Sequence, residues 1–183
     1  MFACEHASIS PDIVCLSKAL TAGYLPLGAT VASDAVYDAF LSDDRTKTFF
    51  HGHSFTANPL ACAVALASLD LFREHDVLDR VRDLESKIRD KLLPLTRLSA
   101  VGDVRVIGGV GIVELVSDKN TRKTEGYLDG IGPRLSSAFL ERGLLLRPLG
   151  NVVYFMPPYI VDDAEMDLMV QVAADGIELA TCD

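Results

Sequence analysis

The sequence has few basic residues and no cluster of them. Lys and Arg together number 17 against 26 Asp and Glu, which gives a formal net charge of -9. Because phosphate backbones select basic protein surfaces, this balance argues against a nucleic-acid partner. The composition is typical of an acidic soluble enzyme.

Long apolar runs and closely spaced cysteines are also lacking. No apolar run approaches the roughly 20 residues that a membrane helix requires, and no charged segment followed by an apolar one resembles a secretory leader. The four cysteines, Cys4, Cys15, Cys62 and Cys182, show no C-x-x-C spacing. We therefore expect reduced, mostly buried thiols and a cytoplasmic protein.

The sequence does contain enough apolar residues for a sizeable core. Its 183 residues are 49% apolar, sufficient for one ordinary domain or two small ones. We predict an α/β chain that divides near His75. Residues 1–74 resemble the end of a large α/β layer, whereas residues 75–183 resemble a compact α+β domain of helix, hairpin, helix, hairpin and helix.

In the first part, short β-rich runs at 13–17 and 27–32 predict strands buried between helices. The first eight residues are typical of a loop. Ser33 and Asp34 offer acceptors to the first N–H groups of a short helix. The segment that begins at Asn58-Pro59 is apolar almost all round, which predicts a buried helix.

In the second part, helical spacing of apolar residues predicts a surface helix with one buried stripe. The stripe consists of Val77, Leu78, Val81, Leu84, Ile88 and Leu92. After it we predict two strands about Gly108-Gly109, a helix at 131–142 that ends at Gly143, strands LLLRP and VVYFM about Gly150-Asn151, and a helix at 162–180.

The stretch PDIVCLSKALTAGYLPLG places Lys18 at the end of a predicted strand. Such a lysine ordinarily extends its amine to solvent or pairs with a carboxylate. A partly desolvated amine is instead nucleophilic near neutral pH and condenses with carbonyl groups. The small residues after Lys18 leave room for a flat ring, so the residues by themselves allow both interpretations.

The segments CLSKALTAGYLPLGA and FFHGHSFTANPLACAVA together resemble the class III (omega) family of pyridoxal-phosphate aminotransferases. The resemblance implies the C-terminal part of a fold-type I transferase, namely the end of the large parallel-sheet domain plus the small domain. It implies that Lys18 is the Schiff-base lysine and the catalytic acid and base. Ser54 is expected to reach the cofactor phosphate of the neighbouring subunit in a homodimer. We interpret His51 and His53 as loop hydrogen-bonders and expect no metal.

Within that family, LLLRPLGNVVYFMPPYIV resembles the branch that acts in biotin biosynthesis. The resemblance implies amino transfer from S-adenosylmethionine to 8-amino-7-oxononanoate, which gives 7,8-diaminononanoate. Arg147 is expected to receive the substrate carboxylate, since a guanidinium offers two parallel hydrogen bonds. Tyr154 either lines the substrate pocket or is an ordinary strand aromatic. The alternatives are an aminotransferase for an omega-amino acid or diamine, and a noncatalytic fragment that is either an interaction module or not stably folded.

The resemblance also implies groups that this sequence does not carry. The family's acidic residue for the pyridine nitrogen, its ring-stacking aromatic residue and its phosphate-binding turn would precede Met1. We therefore expect the C-terminal part of a longer or split enzyme, which requires a separate N-terminal half for activity.

Overall fold

The computed structural model describes residues 1–124 and 130–181. The chain forms two compact units, Met1–Leu78 and Asp79–Asp183. The assignment of residues 1–74 and 75–183 to a large and a small domain stays a prediction. Within the described ranges, no helix combines the length and the apolarity needed to cross a membrane.

The first unit consists of short elements and one long helix. In chain order these are α1 (Ala3–Ala7), β1 (Ile13–Leu16), a 3₁₀ turn (Lys18–Thr21), β2 (Ala29–Ala32), α2 (Asp34–Asp38), a second 3₁₀ turn (Arg45–Lys47) and α3 (Pro59–Glu74). Strands β1 and β2 pair antiparallel, with Val14 opposite Val31. Both predicted strands are therefore confirmed, whereas α1 occupies the stretch that was expected to be a loop.

The burial predicted for these two strands is wrong. Residues of β2 are all exposed, and those of β1 alternate between exposed and half-buried. A strand is buried on both faces only where other layers cover it. The described residues of the first unit supply no such layers over this strand pair, which consequently presents apolar side chains such as Val31, 55% exposed.

Helix α3 begins as its sequence predicts. The Asn58 side-chain oxygen accepts hydrogen bonds from the N–H groups of Leu60, at 3.0 Å, and Ala61, at 3.3 Å. Pro59 occupies the first turn, where its missing N–H costs nothing. Two of the N–H groups that a helix leaves unpaired at its start are thereby satisfied.

The burial of α3 differs from the prediction of a helix buried all round. Its buried residues are the small ones, Ala61, Ala65 and Ser68. Leu60 and Leu66 are 70% and 64% exposed. Helix α3 packs against the 3₁₀ turn that begins at Lys18. Because small side chains allow close approach, we infer that they face this turn while the large ones face outward.

Helix α2 lacks the side-chain cap that the sequence suggests. The Ser33 hydroxyl oxygen is buried and has no hydrogen-bond partner among the described residues. The backbone carbonyl oxygen of Ser33 instead accepts hydrogen bonds from the N–H groups of Val36 and Tyr37, both at 3.0 Å. The backbone therefore closes this first turn without the hydroxyl.

The cysteines are less buried than predicted. Cys4 and Cys62 are half-buried free thiols, and Cys15 is an exposed one. Cys15 lies on β1, which no layer covers among the described residues, and its sulfur lies 3.8 Å from the hydroxyl oxygen of its cross-strand partner Thr30. Cys182 lies outside the described residues.

The second unit contains a three-stranded antiparallel sheet and three long helices among its described elements. They are α4 (Val77–Leu92), whose first turn contains the unit boundary, a 3₁₀ turn (Leu93–Arg97), β3 (Val101–Ile107), β4 (Val110–Leu115), α5 (Ile131–Leu140), β5 (Val152–Phe155) and α6 (Asp163–Thr181). The strand order is β3-β4-β5. The predicted hairpin about Gly108-Gly109 and the three helices are confirmed.

The core of this unit lies between one face of the sheet and the helices. Leu84, Ile88 and Leu92 on α4 are buried, as the predicted stripe requires. At the start of the helix the prediction is too strong, because Val77 and Val81 are half-buried and Leu78 is 37% exposed. A Cβ added to Gly111 on β4 would collide with the side chains of Ile88 and Leu92. Helix α4 therefore packs directly on the sheet, and glycine at 111 permits that approach.

The predicted strand LLLRP is wrong. Residues 144–148 form no strand, and β5 pairs with β4 instead. Leu149 and Val152 exchange hydrogen bonds of 2.8 and 3.1 Å across a turn in which Gly150 has φ of +60°. Pro148 has no N–H to donate and restricts the residue before it, which explains why the preceding segment does not extend the ladder.

Candidate functional site

Lys18 follows β1 directly and begins a 3₁₀ turn. Its φ is +45°, in the left-handed region, and Ala22 and Gly23 also have positive φ at +50° and +85°. Residues with a Cβ adopt this conformation only when their surroundings stabilise it, and such residues cluster at functional sites. The sequence contains no pattern that would have indicated this backbone geometry.

Lys18 lines an open cleft of about 980 Å³ in the first unit. The cleft is lined by residues drawn from three segments, 17–18, 23–30 and 51–61. The two sequence segments that carry the family resemblance therefore meet around one amine. A cleft of this size suits a small-molecule ligand.

The Lys18 side chain is exposed, which contradicts the expected partial desolvation of its amine. The expectation depended on a buried strand, and β1 is not buried in the described chain. Lys18 nevertheless lines a cleft whose wall includes the small residues Gly23 and Gly28.

Ser54 is exposed and does not line the cleft that contains Lys18. Its neighbours Phe55 and Thr56 do line it. The Thr56 hydroxyl accepts a hydrogen bond of 3.0 Å from the N–H of His53. Thr56 therefore brings a hydroxyl group to the cleft that contains Lys18, and the sequence analysis did not identify it. Its place two residues after Ser54 in HGHSFTANP could have indicated it.

The two histidines behave differently. The Nδ1 atom of His53 accepts a 3.1 Å hydrogen bond from the N–H of Phe55, which agrees with a loop role. The His51 ring instead stacks on Phe49, with ring centres 5.4 Å apart. Across the described chain, no group of three or more His, Cys, Asp or Glu side chains is arranged to hold a metal ion.

Arg147 and Tyr154 lie in the second unit. Arg147 is exposed on the segment before β5, and no described carboxylate lies within 4.0 Å of its guanidinium. Tyr154 is half-buried on β5 between the core residues Val153 and Phe155, so its ring lies on the other face of the sheet. Ile112 is its partner on β4.

An ion-pair cluster occupies the same face of the sheet as Tyr154. One Arg105 nitrogen lies 2.6 Å from oxygens of both Asp103 and Glu114. The hydrogen bond from Arg105 holds the pKa of Asp103 below its ordinary value of 3.8. The same contacts raise the pKa of Arg105, with Glu114 as the main cause.

The lowered pKa of Asp103 predicts a pH-dependent contribution to stability. A carboxyl with a depressed folded-state pKa stabilises the fold above its unfolded value, and that contribution is lost as the pH falls through the folded pKa. We expect Asp103→Asn to lower the urea unfolding midpoint at about pH 7 and to have a smaller effect at about pH 2. Asp90→Asn, outside the cluster, is the control, and an equal loss at both pH values would contradict the prediction.

The chain is similar to aminotransferases over nearly its whole length. The model of the class III aminotransferase family matches residues 1–177. Two relatives are the adenosylmethionine-8-amino-7-oxononanoate aminotransferases of Geobacter sulfurreducens and Synechococcus elongatus. Their alignments cover 97% of this chain, with 48% and 47% sequence identity. The chain spans only 39% and 40% of the length of these two relatives.

Solved structures agree with this result. The enzyme of the same name from Methanocaldococcus jannaschii matches 94% of this chain and 40% of its own, with TM-score 0.86 and 37% identity. An (S)-enantioselective omega-transaminase from Thermomicrobium roseum matches 98% of this chain and 40% of its own, with TM-score 0.87 and 30% identity. The predicted α/β transferase fold is thereby confirmed.

Proposed function

Because the chain belongs to the class III aminotransferase family, we propose that it acts in pyridoxal-phosphate-dependent transfer of an amino group from S-adenosylmethionine to 8-amino-7-oxononanoate. The product would be 7,8-diaminononanoate, an intermediate of biotin biosynthesis. The observation that carries the proposal is the meeting of both family segments in the cleft around Lys18. The names of relatives at 48% and 47% identity support the choice of substrates.

The residues of the cleft fit a flat, phosphorylated pyridine ring. Lys18 supplies an amine for covalent attachment, and the Thr56 hydroxyl and the Asn58 side chain lie on the wall. A Cβ added to Gly23 would meet no atom within 4 Å, so the ring has open space there. When bound, pyridoxal phosphate supplies an electron sink for carbon acids.

In this proposal Lys18 both holds the cofactor and moves protons. Lys18 lines the cleft at the start of a defined backbone turn. An unprotonated amine there accepts a proton that the ammonium form later returns. The open cleft leaves the amine accessible to an incoming substrate. Ser54 lies outside this cleft, which is compatible with a hydroxyl that serves the neighbouring subunit of a homodimer.

Arg147 is the proposed receptor for the substrate carboxylate. Its guanidinium is exposed and has no described carboxylate partner, so its donors are available. A guanidinium binds a carboxylate through two parallel hydrogen bonds, and it keeps its charge at every physiological pH. Tyr154 is the proposed aromatic wall of the same substrate site.

This role predicts a selective effect of Arg147→Ala. Loss of hydrogen bonds to a charged group should raise the KM for 8-amino-7-oxononanoate by roughly ten- to a hundredfold. The KM for S-adenosylmethionine should not change. Arg134→Ala, an exposed arginine of the same unit, is the matched control. Indifference to both substitutions would favour the alternative substrate class, an omega-amino acid or a diamine.

The alternative has a specific observation in its favour. The omega-transaminase of Thermomicrobium roseum superposes on this chain as well as the Methanocaldococcus jannaschii enzyme does, with TM-scores of 0.87 and 0.86. Its sequence identity to this chain is lower, 30% against 37%. Fold similarity therefore does not separate the two substrate classes. The Arg147 experiment separates them, because only the oxononanoate reaction is expected to use that guanidinium.

The direct test is a product assay with the protein, pyridoxal phosphate, S-adenosylmethionine and 8-amino-7-oxononanoate. Mass spectrometric detection of 7,8-diaminononanoate supports the proposal. The assay is repeated with a separately expressed N-terminal half of a class III relative, since this chain spans about two fifths of such relatives. Absence of product in both assays would contradict the substrate assignment. We further propose that the protein acts in the cytoplasm and forms a homodimer.

A further inference from the structure

Thr21 is one of two polar residues buried in the described part of the chain, with 1% of its surface exposed. Its hydroxyl donates a hydrogen bond to the carbonyl oxygen of Leu25. Thr21 is the last residue of the 3₁₀ turn that begins at Lys18, and Leu25 lies on the wall of the Lys18 cleft. The bond therefore joins the end of the turn to the segment that returns toward β2.

The backbone on both sides of Thr21 is conformationally costly. Lys18 and Ala22 have φ of +45° and +50° although both carry a Cβ. Such a conformation persists only where surrounding contacts stabilise it. Two backbone bonds contribute, from Ala22 N–H to the Ala19 carbonyl at 3.1 Å and from Tyr24 N–H to the Thr21 carbonyl at 3.0 Å.

A second hydroxyl acts from the other side of Lys18. The Ser17 hydroxyl donates a 3.0 Å hydrogen bond to the carbonyl oxygen of Leu27. Hydroxyls at positions 17 and 21 therefore both bond to the segment 25–27 and enclose the turn between them. Of the two, only Thr21 is buried and absent from the cleft lining, so it has no direct access to a ligand.

We propose that Thr21 is a positioning residue for Lys18, which holds the left-handed turn closed so that the amine points into the cleft. The inference rests on the proposed function, because it concerns the attachment of pyridoxal phosphate to Lys18. Thr21 contacts neither cofactor nor substrate in this account and acts only through the turn. The consequence is that the rate of cofactor attachment depends on a hydroxyl outside the cleft.

The test measures attachment at Lys18 without any substrate. The protein is incubated with pyridoxal phosphate, samples are reduced with borohydride at intervals, and peptide mass mapping gives the pyridoxyl group on each lysine. Thr21→Val keeps the side-chain shape and removes the hydroxyl. We expect labelling of Lys18 to slow roughly five- to tenfold, the size of effect that one hydrogen bond supports. Labelling of Lys47, an exposed lysine of the same unit, is the internal reference.

Three further variants separate positioning from simple stabilisation. Thr21→Ser restores the hydroxyl and should restore the rate to within about twofold of the parent. Thr48→Val, an exposed threonine of the same unit, should have no effect. If Thr21→Val does not fold, comparison of Thr21→Ser with Thr21→Ala decides the matter, because these two differ only by the hydroxyl. Equal rates for the serine and alanine variants would overturn the proposal.

Amide hydrogen exchange without cofactor gives an independent measure. We expect faster exchange at Tyr24 in Thr21→Val, with unchanged exchange in β4. A lower unfolding midpoint with unchanged labelling of Lys18 would show a purely structural role and overturn the inference, while the proposed function stands. If the parent protein is not selectively labelled at Lys18, the cofactor assignment fails and the inference fails with it.

Discussion

Replacement of Lys18 by alanine should lower kcat for amino transfer by about a hundred- to ten-thousandfold, the contribution typical of a positioned acid or base. Lys18 lines the 980 Å³ cleft together with the glycines Gly23 and Gly28, and it is the lysine of that lining. Its removal leaves the cleft walls unchanged, so binding of the cofactor phosphate should persist while covalent attachment is lost. The measurement is kcat with saturating substrates, together with borohydride trapping of pyridoxal phosphate.

Two control variants sharpen this prediction. Lys18→Arg keeps the positive charge but cannot release a proton at physiological pH, so it should be as inactive as the alanine variant. Lys47→Ala removes an exposed lysine from the same unit and should retain parental kcat. Activity in Lys18→Arg would show that charge alone suffices, and it would contradict the assignment of Lys18 as proton carrier.

The location of the cleft could be predicted from sequence because its signal is local. Lys18 and its small neighbours are contiguous, and the segment at 51–61 matches the same family pattern. The structure adds that both segments line one cleft. It also adds Thr21, whose burial and bond to Leu25 depend on how the turn folds back. The spacing of residues in the sequence does not predict a hydrogen bond of this kind.

Burial was predicted well in the second unit and poorly in the first, for one physical reason. The stripe on α4 meets a sheet within its own unit, so Leu84, Ile88 and Leu92 are buried as their spacing indicates. The apolar face of α3 has no such cover among the described residues, and Leu66 is 64% exposed. Periodicity reports which residues seek burial, whereas burial itself requires a partner layer.

The error at residues 144–148 has a different origin. The run LLLRP has strand-like composition, but strand formation depends on an available ladder. One edge of β5 is paired with β4. Pro148 has no N–H, so it cannot donate a hydrogen bond to the other edge of β5. Arg147 consequently lies on an irregular segment with its guanidinium exposed. The apolar composition of this segment was therefore not sufficient to predict its conformation.

Replacement of Phe139 by alanine should lower the free energy of unfolding of the second unit by about 3–5 kcal/mol. Phe139 lies on α5 and is fully buried, with 0% of its surface exposed. Natural domains are stable by only about 5–15 kcal/mol, so this loss should bring the unit close to unfolding. Urea denaturation followed by circular dichroism measures it. Leu140→Ala is the matched control, because Leu140 is the next residue of α5 and is 62% exposed.

The packing around Phe139 explains why the cost should lie toward the upper end of that range. A Cβ added to Gly176 on α6 would lie 2.5 Å from one ring carbon of Phe139 and 2.6 Å from another. The ring therefore fills the space that glycine leaves between α5 and α6. When the ring is removed, Gly176 has no side chain to collapse into the cavity, so the lost contacts are not replaced. Equal effects of Phe139→Ala and Leu140→Ala would contradict this account of the helix contact.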